Sequence, residues 1–489
     1  MPAKRIEKDA IGETTVPSGS YYGSFTSRAS QNFAFHKGKG AQELYLSYAI
    51  IKLAAARANF QSGVLEKRKA DAIGQAANEL LEGKFDGDMP LGFYQAGAGT
   101  PFNMNVNEVL ANRANELLGG ALGKYEHVHP NNDVNMGQSS NDVTPAAIRI
   151  ALLRLSPLLE KEMEALCKTL DGKATSYSGK IKVGRTHLQD AVPIGIGQEI
   201  SAWSGALASD LAFLREAKKQ LCAMPLGGTA LGTGIASHPE FGMLVCKELS
   251  TILHEKITSS SNKPMLISSM NHFLAYSSAL RCAAVTLCKI AGDLKLLVSG
   301  PIAGIAEVRI PEVEPGSSIM PGKVNPSIPE ALEIIALDAI SSDAAVLHAC
   351  LGGQLQLNVL TPLIAKNTID PTLDLADGIS MFEKYCARGL EYDLEAIERQ
   401  VGATYIFATA LNPYLGYSVV AELVKESLAS KKSVREAVLS HALLEKTDLD
   451  KILSLDSITS PTHIDLPLAA KVKSSKAYCD FLGKINGKC

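Results

Sequence analysis

Apolar residues recur along this chain with helical rather than alternating spacing. The stretch LYLSYAIIKLAAARANF predicts a helix over 41–62, and a second follows over 66–82. Glycine and proline then gather between Gly83 and Pro101, which marks loops. From about 142 to 395 the pattern lengthens into helical runs over 146–176, 192–221, 271–298, 327–350 and 354–390, the first expected to kink at Pro157. Runs of that length predict a bundle whose helices pack side by side over several turns. Polar, Gly-rich loops separate them at 137–142, 184–190, 225–239 and 314–326. Loops held at the ends of rigid helices are where chemistry is usually placed.

The two ends read differently. Residues 1–40, rich in Gly, Ser and Pro, predict an irregular arm, and beyond 396 a smaller unit carries short helices near 414–430 and 432–439. Lys471–Cys489 is polar and lysine-rich and reads as a solvated tail. With 489 residues, several cores are expected. The divisions are an N-terminal domain (1–141), a central helical-bundle domain (142–395) and a small C-terminal domain (396–489).

Composition narrows the function classes. Hydrophobic residues make up 46% but aromatics only 6%, with the single tryptophan Trp203, so the cores should be built of Ala, Leu, Ile and Val on closely packed helices. Lys and Arg total 48 against 51 acidic residues, a net charge of −3. No global field draws such a chain to nucleic acid or anionic lipid, so the expected ligand is small. The nine cysteines include no CxxC pair and read as reduced core residues. The start, MPAKRIEKDAIGE, lacks the apolar run of a secretory signal, and no uninterrupted apolar stretch is long enough to span a bilayer. A cytoplasmic address without membrane partners is the expectation.

The most informative segment is Pro315-Gly316-Ser317-Ser318-Ile319-Met320-Pro321-Gly322-Lys323-Val324-Asn325-Pro326. Its glycines and prolines specify a bent loop in which successive backbone N–H groups can face an anion. Ser318, Lys323 and Asn325 add a hydroxyl, a cation and an amide able to meet one carboxylate. Competing motifs are weak. GGTALGTG (227–234) fits neither nucleotide-binding glycine pattern, and His127 and His129 lack a second ligand pair, so no metal or cofactor is expected.

The same segment resembles the signature loop GSSxMPxKxN of the aspartase/fumarase superfamily at every defined position. GAGTPFNMNVNEVLANRANELLGG (97–120), GQSSND (137–142), GRTHLQDAVP (184–193) and TALNPYLGY (409–417) look like the family's other blocks, in the family's order. The resemblance implies a mainly α, three-domain aspartase/fumarase-like fold and a homotetramer whose long central helices form its core. Each active site would be shared between subunits. It also implies elimination from a small dicarboxylate to give fumarate, with Ser318 as an oxyanion base. Thr100, Ser139, Ser140 and Asn141 would bind the carboxylate next to proton loss and the leaving group, and Lys323 and Asn325 the other carboxylate. Thr186 and His187 would come from a neighbouring subunit, His187 assisting the leaving group. Glu330 would be a buried supporting acid, although Ser327-Ile328-Pro329-Glu330 also fits a capping box. GQSSND could itself cap a helix through Asn141 or Asp142. His129 and Asn131, in HPNN, resemble a second anion site of some fumarases, with Asn132 replacing the family's acid.

The leaving group is the harder choice. Tyr21-Tyr22-Gly23, Gly97-Ala98-Gly99-Thr100, Ala191-Val192-Pro193 and Pro326-Ser327-Ile328-Pro329-Glu330 look like aspartase, whereas Ser139-Ser140-Asn141 and His238-Pro239-Glu240-Phe241 look like fumarase. Ala98 and PSIPE tip the reading toward aspartate ammonia-lyase, with fumarate hydratase as the alternative and an inactive structural homologue as a minor one. Ile302, where the family usually has arginine, and the unusual stretch at Asn271 and His272 leave room for a substituted aspartate.

Overall fold

The computed structural model describes residues 3–487, and the chain is mainly helical. Expected helices appear as α2 (Ala41–Gln61), after a short α1 (Ser24–Asn32), then α3 (Lys67–Leu81) and α4 (Thr100–Leu117). The long runs are α5 (Ser140–Ser176, with Pro157 inside it), α6 (Ile196–Lys219), α9 (Asn271–Leu297), α10 (Ser327–Leu351) and α11 (Thr361–Tyr385), with α7 (Phe241–Leu253) and α8 (Lys263–Ser268) between them. Eight shorter helices close the chain, from α12 (Leu394–Ala403) to α19 (Lys476–Ile485).

Two compact units emerge. One comprises the segment ending at Glu164 with Leu207–Lys289 and Ala331–Ser380; the other comprises Ala165–Ala206, Ile290–Glu330 and the segment beginning at Met381. In the first, α2 is apolar almost all round and packs against α3 and α7, its alanines at 54, 55, 56 and 58 all buried. In the second, the C-terminal helices gather around Leu411, Leu415, Leu423, Val438, Leu449 and Phe481.

Four features differ from the sequence reading. The arm is ordered: β1 (Lys4–Asp9) and β2 (Gly12–Pro17) form an antiparallel hairpin, and Arg5 donates to the carbonyls of Pro17, Ser20 and Tyr22. Residues 184–190 are the tip of a second hairpin, β3 (Ile181–Thr186) and β4 (Gln189–Gly195), so α6 starts four residues later than expected. The polar end is not a free tail, since α18 (Leu466–Lys473) and α19 bury Val472 and Phe481 in the C-terminal core. Its last residues, 488 and 489, lie outside the described ones. Finally, α9 and α10 are long and apolar enough to cross a membrane by length and composition, with mean hydropathy of 1.3 and 1.6. Scattered polar residues interrupt both yet leave the average within the range of a membrane span, and core helices pass the same test.

The start of α1 shows how the arm is fixed. Gly23 precedes it without any side chain to cap the helix. Instead the buried Glu108 carboxylate, from α4, accepts the N–H groups of Gly23, Phe25 and Thr26 at 2.9, 2.8 and 3.0 Å, and Glu7 accepts that of Ser24 at 3.0 Å. Glycine is required at 23, because a Cβ would stand 2.4 Å from the Tyr125 hydroxyl and 2.9 Å from the Glu108 carboxyl carbon. Glu108→Ala would leave three donors unmet, two of them buried. It is expected to lower stability by about 3 kcal/mol, read as a shift in the urea midpoint at constant slope.

Candidate active site

Within the first unit, the candidate carboxylate-binding residues sit where α4 and α5 begin. Gly97, Ala98 and Gly99 are all left-handed, with φ of 81°, 53° and 82°, and they turn the chain sharply into α4. A Cβ on Gly99 would meet Thr144 Cγ2 at 2.5 Å, so this turn is pressed against α5. The Thr100 hydroxyl donates back to Gly97 O at 2.7 Å.

Ser139 caps α5. Its Oγ accepts from Asn141 N at 3.3 Å, and Asp142 closes the box by accepting Ser139 N at 2.8 Å, so the cap is Ser139 rather than Asn141 or Asp142. The second Asp142 oxygen accepts Thr229 N, and Asn141 Nδ2 donates to Ala230 O, which tie the 225–239 loop to this helix start. Ser140 Oγ accepts from Asn103 Nδ2 at 3.2 Å, leaving its own hydrogen to donate. Burial pushes Asp142 up to about 7 and pulls the equally buried Lys52 down to about 7; their mutual attraction opposes both shifts. Neither Lys52 nor Asn103 was identified from sequence. The available signal was a single charge within the apolar stretch 44–56 and asparagines at 103 and 107, one helical turn apart.

In the second unit, Thr186 and His187 stand exposed at the tip of the β3–β4 hairpin. His187 and Leu188 both have left-handed backbones, φ 55° and 60°, the geometry of a two-residue turn that normally selects Asn or Gly. The base of the hairpin is held by charge. Arg185 Nη2 donates to Glu307 Oε1 at 2.6 Å, while Lys182 Nζ lies 2.8 Å from Glu307 Oε2 and 3.0 Å from Glu199. Lys182 and Glu307 are both buried.

The signature loop is closed upon itself. Gly316 N donates to Lys323 O, and Asn325 Nδ2 to Gly316 O, both at 2.8 Å. A Cβ at Gly316 would stand 2.7 Å from Lys323 O, so glycine permits the closure. Ser317 Oγ accepts from Ile319 N and Met320 N. Ser318 and Lys323 are exposed, while one amide hydrogen of Asn325 is already used by the loop. Glu330 is exposed rather than buried. It forms no capping box either, because α10 begins at Ser327, whose Oγ donates to Asn325 O, and Glu330 N donates to Pro326 O. His129 Nδ1 accepts the N–H groups of Asn131 and Asn132, which gives it a local capping role. Ile302 lies 93% exposed on its loop.

The comparisons with known proteins agree with one another. Residues 12–340 match the family described as lyase, and residues 407–460 match the fumarase C C-terminus. The chain is 43% identical over 452 residues to the class II fumarate hydratase of Thermus thermophilus, covering 92% of this chain and 97% of that one. It is 40% identical over 458 residues to that of Bacillus subtilis, covering 94% and 99%. The crystal structure of a recombinant class II fumarase from Schistosoma mansoni superposes with a TM-score of 0.90 at 34% identity, covering 94% of this chain and 100% of that one. The mainly helical aspartase/fumarase fold expected from the resemblance therefore stands.

These relatives overturn the preference for ammonia as leaving group. The aspartase-like fragments do local structural work: Gly23 fits between Glu7 and Glu108, Gly99 presses on Thr144, Pro193 is buried in β4, and Pro326–Glu330 opens α10. The aspartase-like Gly97-Ala98-Gly99-Thr100 and the fumarase-like Ser139-Ser140-Asn141 both lie at the candidate site, at the starts of α4 and α5, so local likeness does not select the leaving group.

Proposed function

We propose, from the premise that this chain belongs to the fumarase C lyase superfamily, that it interconverts L-malate and fumarate by reversible loss of water. The exposed Ser318, held on a loop that is closed through Ser317 Oγ and Asn325 Nδ2, is the observation that carries the reading. In the forward elimination, the Ser318 oxyanion takes the proton from C3 of malate. The electron pair moves into the adjacent carboxylate, which becomes a doubly charged aci-carboxylate. When that pair returns to form the double bond, the C2 hydroxyl leaves and takes a proton from the His187 imidazolium, giving water. Stabilising the aci-carboxylate is the main catalytic task, and neutral donors suit it: Ser139, Ser140 and Asn141, joined by Thr100 when its hydroxyl turns from Gly97 O to the substrate. Lys323 and Asn325 hold the other carboxylate.

The exposed hairpin tip supports a further part of the reading, a homotetramer in which Thr186 and His187 enter another subunit's site. Exposed Ile334, Leu337 and Leu351 on α10 provide an apolar face for such an assembly. Purified protein should raise fumarate's ultraviolet absorbance when given L-malate but not L-aspartate, and should sediment well above the 52.0 kDa of one chain. Absence of a response to malate would reject the activity, and an active monomer would reject the shared site.

A further inference from the structure

Helix α2 is the least expected place for a charge. Lys52 lies between the buried Ile51 and Leu53 and is itself wholly buried, and transferring an ammonium there costs several kcal/mol unless it is bound. A leucine or methionine would fill the same space without that cost. The Lys52 ammonium donates to Asn135 Oδ1 and Gln138 Oε1, both at 2.9 Å. Both acceptors belong to the segment leading directly into Ser139. Asn135 Oδ1 is a hub, since it also accepts from Asn103 Nδ2 at 3.1 Å and Asn107 Nδ2 at 3.2 Å. Asn103 Nδ2, 1% exposed, reaches Ser140 Oγ as well. A continuous chain of hydrogen bonds thus runs from the ammonium to a hydroxyl of the candidate site.

We infer that Lys52 is a positioning residue for the Ser139–Asn141 segment, its buried ammonium fixing Asn135 and Gln138 and, through Asn135 and Asn103, the direction in which the Ser140 hydroxyl donates. The inference rests on the reading that this segment receives a substrate carboxylate. Asn103, by occupying a lone pair of Ser140 Oγ, turns that hydroxyl outward as a donor; without the lysine, three donors would no longer converge on Asn135. The carbonyl oxygens of Asn103 and Asn107 have no partner in the protein, so these side chains are held from the amide end alone. Loss of the hub would let both rotate.

Two variants test this. Lys52→Met removes the ammonium at similar length, and Asn103→Ala removes the amide that joins Asn135 Oδ1 to Ser140 Oγ while leaving both Lys52 bonds in place, so it decides the matter if the first fails to fold. Amide hydrogen exchange at residues 135–141 of the intact folded protein should accelerate about tenfold in either variant, with α10 unchanged. KM for L-malate should rise about tenfold while kcat falls less than about threefold, a split that loosened packing alone would not produce. Exchange within about twofold of the unsubstituted protein overturns the inference, as does faster exchange with KM unchanged in an active enzyme. If the unsubstituted protein turns over no malate, the proposed activity fails, and the exchange comparison by itself still decides the role of Lys52.

Discussion

The Ser318→Ala variant is expected to lose at least about 10³-fold in kcat for L-malate while its affinity for succinate stays close to that of the unsubstituted protein. The reasoning is local. Alanine cannot accept the C3 proton, and no other group on the loop is proposed to. The bonds that shape the loop run through Gly316, Ser317, Lys323 and Asn325, none of which involves the Ser318 side chain, so the donors around it keep their places. Succinate, which cannot eliminate, reports binding alone in a calorimetric titration. A variant retaining about a tenth of the rate would remove Ser318 from the role of base.

The second large effect is expected at Glu307, through stability as well as rate. Its two oxygens hold two cations of the β3–β4 hairpin, Arg185 at 2.6 Å and Lys182 at 2.8 Å. Glu307→Ala would leave the Lys182 ammonium buried with Glu199 as its remaining carboxylate, and Arg185 with Gln400 at 3.3 Å. Breaking a buried pair from one side typically costs about 3–5 kcal/mol; because Glu199 remains, about 3 kcal/mol is expected in denaturant unfolding. Arg185 immediately precedes Thr186 and His187, so kcat of the folded fraction should fall as well. Glu307→Gln, which keeps the shape and one acceptor, should be milder in both respects. An alanine variant within about 1 kcal/mol of the parent and equally active would show that the hairpin is held by packing instead.

What the sequence made legible followed from the length of each signal. The long helices were visible because six or more turns of apolar spacing cannot be mistaken for anything else, and the signature loop because seven defined positions coincide within ten residues. The β3–β4 hairpin was hidden: its strands are short and polar, Gly184 sits at a register shift, and Pro193 argues against a strand. Lysines likewise masked the apolar spacing of Val472, Phe481 and Leu482. Lys52 stood out only as a charge within an apolar stretch, because its partners, Asn135 and Gln138, are found only once α2 and the loop before α5 are folded. The leaving group was hidden for a different reason: fragments resembling each branch, Gly97-Ala98-Gly99-Thr100 and Ser139-Ser140-Asn141, lie at the starts of α4 and α5, so local likeness does not select the departing atom.

The absent local cap on α1 has a consequence for the order of folding. A nine-residue helix is too short to persist alone, and its amino end is closed by a carboxylate 85 positions further along the chain. During synthesis, the first helix must therefore wait until the segment containing Glu108 has emerged and coiled. Its formation is a late, long-range event that reports the completion of its neighbours rather than nucleating them.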